Sequence, residues 1–395
     1  MNFNFWPKMY YSGGGGGGGG AGGGGGSGSG GGSTGGGGYG GGAGTGGYSA
    51  GGGAEGEEPP KEPTPVGAFR FNTDTLNLEY YDGNQWVNIK TDSVVAQTGG
   101  TRGLWGGRNN PHTDAIDFVN IDTTGNASDF GNLVAATGIA CAMSSRTRGV
   151  WAGGYSPNDS TTSNKMDFVT IASTGNATDF GNLITARHGA MSNSNSTRGL
   201  IIGGRTPSVL NSIEYITIAS AGNAQDFGDA SDDCRFSSAA SNQTRGLFAL
   251  GNANPAYVNT VDFLTIQTLG NSATFGDLTT IRAVSGAFSN SVRAVFSRGE
   301  LYPGETRTNV MDFFTFSTLG NAVDFGDSTV TISNGMDGGC SSPTRGCTAG
   351  GSTGSNSDVI DYVQIMTTGN AIDFGDLNVG GQYPAALSNG HGGLG

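Results

Sequence analysis

Six acids recur at matched places in this chain, Asp117, Asp167, Glu214, Asp262, Asp312 and Asp361, each near the start of a β-branched and aromatic run. A second set, Asn132, Asn182, Asp229, Asp277, Asp327 and Asp376, follows the dipeptide Phe-Gly. Paired carboxylates with turn carbonyls are the donor set of a calcium site, because that hard cation takes oxygen ligands. If the runs are antiparallel strands, both sets fall near one face, and calcium becomes the one cofactor the pattern permits. The competing reading is Asp and Asn side chains that cap turns. Other chemistries find less. The Asp-Phe-Gly triplets at Asp129, Asp179, Asp226, Asp324 and Asp373 come without the Gly-rich ATP loop and catalytic loop that a kinase needs. Cys141, Cys234, Cys340 and Cys347 show no Cys-x-x-Cys spacing and read as small buried hydrophobes.

The elements that carry these acids are copied. Gly-Asn followed by Phe-Gly recurs with the asparagine at Asn126, Asn176, Asn223, Asn271, Asn321 and Asn370, and an arginine, usually in Thr-Arg-Gly, recurs at Arg102, Arg148, Arg198, Arg245, Arg293 and Arg345. Two landmarks with a common period of about fifty residues mean one supersecondary unit repeated six times. Such a unit cannot bury its own faces, so the copies must pack on one another. Each copy reads as a hydrophobic strand opened by Thr-Arg-Gly, a loop of uneven length, the acid-bearing strand, a Thr-Gly-Asn turn, the Asp-Phe-Gly strand and a last strand such as residues 189–193. Four strands per copy is one propeller blade. Copy one lacks the strand that should precede it. Residues 385–389 match residues 189–193 and are expected to pair with the strand begun at Thr101, with residues 94–97 as the competitor for that place. The repeated arginine falls beside the Thr-Gly-Asn turn, where its fork can satisfy turn carbonyls.

This order resembles the kelch repeat: a hydrophobic strand ending in Gly-Gly, an acidic-aromatic strand, an aromatic in the next strand, and an arginine before the last. Copy two carries it best, with Gly153-Gly154, Asp167-Phe168, Phe180 and Arg187. Copies four and five depart from it, with Leu250-Gly251 and Arg298-Gly299, and Phe stands where the family usually has Trp. The resemblance implies an all-β fold, a six-bladed kelch-like β-propeller over residues 101–395. Kelch-like propellers include copper oxidases, whose site needs several histidines and a Tyr-Cys pair. Here His112, His188 and His391 are scattered over three copies, and neither a sialidase box nor a His-Asp-Ser constellation has interpretable spacing. The expectation is a protein that is not an enzyme.

The chain has a formal charge of -13, which argues against a nucleic-acid partner. No stretch is long and apolar enough to span a bilayer, and the first residues lack the apolar core of a secretory signal, so synthesis in a host cytoplasm is expected. Residues 1–12 are aromatic and form a candidate anchor with Phe3, Phe5 and Trp6. Residues 13–65 are Gly-rich, then acidic and Pro-rich, and read either as a flexible linker or as polyglycine packed between chains.

Residues 66–92 read as a three-stranded β-meander with a hairpin turn at Asp82-Gly83. So small a sheet cannot shelter Phe69, Phe71, Tyr80, Tyr81 and Trp86, and it should dock on something, most simply as a trimer of this chain. The run from Arg70 to Trp86, with Phe71-Asn72-Thr73 and Leu78-Glu79-Tyr80-Tyr81-Asp82-Gly83, resembles a module of bacteriophage tail fibres and other virion proteins. The copies are similar to those in virion proteins of phages of marine cyanobacteria. The resemblance implies a virion protein on the tail or capsid exterior, whose partners are other virion proteins and a host-surface glycan or protein. A capsid or tail decoration protein and a bacterial surface glycan-binding propeller are the competing classes.

Specificity is expected where the copies differ. The loops after the first strand vary in length and sequence while the turns on the other face stay nearly constant. They offer Arg108, Tyr155, Asn158, Asp159, Arg205, Tyr257, Tyr302 and Arg307 for stacking on and hydrogen bonding to a partner.

Overall fold

A computed structural model describes residues 64–72, 77–88, 100–156, 161–253, 255–283, 285–336 and 338–394. Phe3, Phe5, Trp6, the Gly-rich tract, residues 94–97, Asn158 and Asp159 lie outside them. The chain divides into two compact units, Met1–Val94 and Val95–Gly395. The described residues are all-β, with no α-helix.

In the first unit, strands Phe69–Asn72, Asn77–Tyr81 and Trp86–Asn88 form an antiparallel meander. Asp82 Oδ1 closes its second turn by accepting the N–H groups of Asn84 and Gln85, both at 2.8 Å. Register places Phe69 opposite Tyr80 and Phe71 opposite Leu78, so these four share one face. That face is open: Phe69 is 59% and Phe71 58% exposed. The other face is self-satisfied, with Arg70 paired to Glu79 at 2.7 Å and lying over Trp86, while Tyr81 packs on Trp86.

Among the described residues the second unit is an array of six antiparallel sheets of four or five strands, β-propeller-like in architecture, with three two-stranded ribbons in the loops. Sheet I is Ala385–Ser388, Arg102–Gly106, Thr113–Asn120 and Ser128–Thr137, so its innermost strand comes from the far end of the chain. The pairing sets Ala385 opposite Gly106 and Ser388 opposite Gly103. Sheet II is Cys141–Ser144, Arg148–Ala152, Lys165–Thr170 and Thr178–Asn182, and sheet III is Met191–Ser194, Arg198–Ile202, Ser212–Thr217 and Gln225–Asp229. Sheet IV runs Ala239–Ser241, Arg245–Ala249, Thr260–Thr265 and Ala273–Asp277, and sheet VI Gly339–Ser341, Arg345–Ala349, Val359–Gln364 and Ile372–Asp376. Sheet V differs. Its strands Arg293–Leu301 and Thr306–Thr315 continue through what reads in sequence as a loop, and Gly286–Ser289 and Arg282–Ala283 both pair with the first of them.

The repeated residues are fasteners between copies. Each acid sits at a register shift in its strand, between Ile116 and Asp117 in sheet I and between Ile360 and Asp361 in sheet VI. A bulge re-aims a side chain, and here it turns the carboxylate into the junction with the preceding copy. Asp167 accepts the Val134 N–H at 3.0 Å, and Asp117 accepts that of Asn378 at 3.2 Å, joining copy six to copy one as the others are joined. The Gly-Asn asparagines do likewise, Asn176 accepting the N–H of Asn132 and Asn126 that of Asp376. In Phe-Gly the glycine is required: Gly131 has φ +145°, and a Cβ there would lie 2.4 Å from the Gly175 carbonyl oxygen of the next copy. Arg102 donates to the Ile171 carbonyl at 2.8 Å and lies over Phe118 of its own copy; Arg345 repeats both contacts with Ile121 and Tyr362.

Hydrophobic clusters fill the junctions. Leu104, Phe130, Trp151, Ile171 and Leu387 pack between sheets I and II, and Trp105, Ile121, Phe374 and Cys347 between VI and I. The four cysteines are buried.

Candidate functional site

One position decides what faces the mouth of the array on the variable-loop side. In five of the six sheets a residue two to five positions before the innermost strand takes a left-handed backbone: Ile139 (φ 59°), Gly189 (66°), Phe236 (51°), Asn334 (59°) and Tyr383 (53°). For bulky side chains this conformation costs roughly 1–2 kcal/mol each. The backbone is thus held constant while the side chain changes from copy to copy.

These side chains converge with the loops. Phe236 of sheet IV's entry meets Tyr383 of sheet I's entry, ring centroids 6.2 Å apart, although their copies are far apart in sequence. His188 packs on Phe236 at 6.1 Å and on Tyr155 at 5.9 Å, and Tyr155 also meets His112. Tyr257 and Tyr302 are stacked face to face at 3.4 Å, and Tyr302 donates to Glu300 at 2.9 Å. Arg235 lies over Phe236 at 4.9 Å. Tyr383 donates to Asn334 at 2.8 Å; burial pushes its pKa up to about 12, so it stays a neutral donor. Burial, then the charges of Arg205 and Arg235, lower the pKa of His188, which keeps that ring neutral near pH 7. Burial alone lowers that of His112.

Of the expected partner-binding residues, Tyr155, Tyr257 and Tyr302 are part-exposed in this cluster, Arg205 is exposed and backbone-paired with His188, and Arg307 is exposed on the long hairpin of sheet V. Arg108 is a correction. It is fully buried and paired with Asp117, its second nitrogen donating to the Val379 carbonyl, so it offers nothing to a partner. Its place directly after Gly106-Gly107 reads as loop, but the turn sends the guanidinium inward to neutralise a buried acid. Of the acids set out for calcium, Asp117, Asp167, Glu214, Asp262, Asp312 and Asp361 accept N–H donors at the junctions, and among the described residues no group of three or more His, Cys, Asp or Glu gathers to hold a metal. Of the expected assembly residues, Phe69, Phe71 and Tyr80 form the open face of the meander, whereas Tyr81 and Trp86 pack on each other across the sheet.

Sequence reading missed His112, His188, Arg235, Phe236 and Tyr383. The available signal was the aligned position before each last strand, where Gly189 stands opposite Phe236 and Tyr383.

The far ends of the innermost strands are tied to one another by serines. Ser144, Ser388, Ser341, Ser289 and Ser241 end the innermost strands, and each hydroxyl donates to the carbonyl of the next serine, ending at Ser194, at 2.7–2.8 Å. Between Ser194 and Ser144 the Ser194 hydroxyl accepts the Ser144 N–H at 3.1 Å, and His391 takes the place of the hydroxyl-to-carbonyl bond. Its Nε2 donates to the Ser144 carbonyl at 3.0 Å, and its Nδ1 accepts the Gly393 N–H at 3.1 Å, which fixes the neutral tautomer. Above it the innermost strands enclose a cavity of about 50 Å³ lined mainly by Ala, Ser and Gly, too small for anything beyond water.

Burial lowers the His391 pKa from 6.5 to about 4. The unfolded chain therefore binds the extra proton first as the pH falls. The neutral ring contributes fully above pH 6.5, and its contribution, at most about 3 kcal/mol, is lost as the pH drops through 4. Melting wild type and His391→Gln across this range should show a stability difference that is constant above pH 6.5 and shrinks below it. A difference independent of pH would mean that the ring acts by packing alone.

Comparison with protein-family models and with curated proteins found no match.

Proposed function

We propose that this chain is a noncatalytic bacteriophage virion protein of the tail-fibre type, and that its six sheets are the blades of a closed kelch-like propeller whose variable face recognises the host surface. One observation carries the recognition reading: every copy spends its repeated acid, asparagine and arginine on its neighbours, while the constant-backbone position at the mouth carries Ile, Gly, Phe, Asn or Tyr. Chemistry that differs between copies and gathers aromatic and cationic groups at one place suits a partner surface. The closed ring is supported by the contacts that join copy six to copy one and by the Ala385–Ser388 strand in sheet I. No catalytic assignment is needed to explain any of these groups.

The second reading is a decoration protein that binds only other virion proteins. The open face of Phe69, Phe71, Leu78 and Tyr80 favours it, because a sheet with such a face gains by self-association, most simply as a trimer, or by docking on a neighbour.

Adsorption of the labelled protein to host cells separates the two. Tyr155→Ala/Tyr257→Ala/Tyr302→Ala should lower adsorption at least tenfold while the melting temperature shifts by only a few degrees, since loop side chains carry little of the core. Unchanged adsorption would place recognition elsewhere. Equal losses of adsorption and stability would make the tyrosines structural, and no adsorption by wild type would favour the decoration reading.

A further inference from the structure

We propose that the mouth of the array binds the carboxylate of an acidic saccharide, with Arg235 as the group that receives it. Four other arginines of the second unit, Arg108, Arg187, Arg282 and Arg298, are buried against Asp117, Glu214, Asp312 and Asp361. Arg235 pairs with none. The reason is a one-residue displacement: the place held by Arg187 in copy two is held by Cys234 in copy three, and the arginine follows it. Asp262, the acid of the adjoining junction, is left without a guanidinium and with its Oδ1 unpartnered. Arg235 instead turns to the mouth and lies over Phe236.

Its Nε and Nη1 are out of water and have no hydrogen-bond partner. Those two donors are covered by the chain itself, so a carboxylate that pairs with them must displace their cover, while the ring holds the guanidinium in place for planar, two-bonded recognition. The surroundings strengthen this. The Arg235 carbonyl accepts the Asn252 N–H at 3.3 Å, and Asn252 pairs with Tyr257, so the stacked Tyr257 and Tyr302 are tied to the same stretch of backbone. Arg205 adds a second positive charge to this neighbourhood, and it lowers the pKa of Arg235, after burial. Tyr302 itself is oriented by donating to Glu300.

A flat aromatic wall beside a carboxylate receptor fits a pyranose bearing one carboxylate better than it fits an extended acidic peptide, which has no apolar face to stack. The net charge of -13 also disfavours a polyanion. The proposal rests on the variable face being the recognition face.

The test is calorimetric titration of the full chain with glucuronate, glucose and acetate in turn. Glucuronate is expected to bind in the millimolar range, glucose and acetate at least tenfold more weakly, and Arg235→Gln is expected to lose at least tenfold for glucuronate. Glucose binding as well as glucuronate would overturn the proposal, as would an unchanged Arg235→Gln or no glucuronate binding at tens of millimolar. Acetate binding as well as glucuronate would show an anion site that recognises no sugar, which also overturns it. Because no cells enter the experiment, failure here with tyrosine-dependent host adsorption intact removes only the ligand class, whereas adsorption that does not depend on the tyrosines removes the recognition face itself.

Discussion

Deleting Pro384 to Gly395 is expected to destabilise the entire second unit, by on the order of 5 kcal/mol or more and roughly 10 °C or more in melting temperature. The segment supplies the innermost strand of sheet I, where Ala385, Ala386 and Leu387 are buried, and Leu387 packs with Leu104 and Trp151 between sheets I and II. Losing one buried leucine to a cavity already costs about 3–5 kcal/mol. The deletion also removes Ser388 and His391 from the serine belt and frees the edge of Arg102–Gly106 for pairing with other chains. The damage should spread, because in the proposed ring each sheet is braced by two neighbours. Circular dichroism melting should show one transition moved down as a whole. A truncated chain that melts at the original temperature would mean that another segment, with residues 94–97 the first candidate, takes the place in sheet I.

Much of this organisation is legible in the sequence because the period is carried by residues whose work is local and repeated. Thr-Arg-Gly, Gly-Asn and Phe-Gly each fix one contact with a neighbouring copy, so a copy cannot lose them without opening a junction. The strand from the chain's end was legible for the same reason, through its match to residues 189–193. What could not be read was where side chains go when a single residue slips. Arg187 and Arg282 hold the same place in their copies after Phe-Gly, whereas Arg108 and Arg298 reach equivalent acids from the end of the first strand, since a long side chain can meet the same carboxylate from either side of a junction. Spacing alone therefore cannot distinguish Arg108, which is buried, from Arg235, which is not paired. The mouth was hidden because its defining feature is a left-handed backbone, and Phe236 and Tyr383 are residues that rarely take one.

The buried ion pairs give the second large effect. Arg187 donates to the carbonyls of Gly203 and Ser212 at 2.9 and 3.0 Å and pairs with Glu214, with both side chains shut from water. Arg187→Met keeps the volume but strands Glu214 as a buried charge, which should cost about 3–5 kcal/mol. Adding Glu214→Gln removes the charge while its side-chain oxygen can still accept from the Ile184 or Thr185 N–H, so the double variant should recover most of the loss. Two natural junctions show that a copy can stand without the arginine. Asp262 leans on the Ser231 N–H and the Ser272 hydroxyl, and Asp167, whose pKa is raised by burial, on the Val134 N–H. Urea unfolding of the single and double variants measures both steps. If Arg187→Met costs under about 1 kcal/mol, water or protonation relieves Glu214 and the pair does not fasten the junction. If the double variant stays as unstable as the single, the arginine acts mainly through the two carbonyls it binds, as a clamp on the strand that enters sheet III.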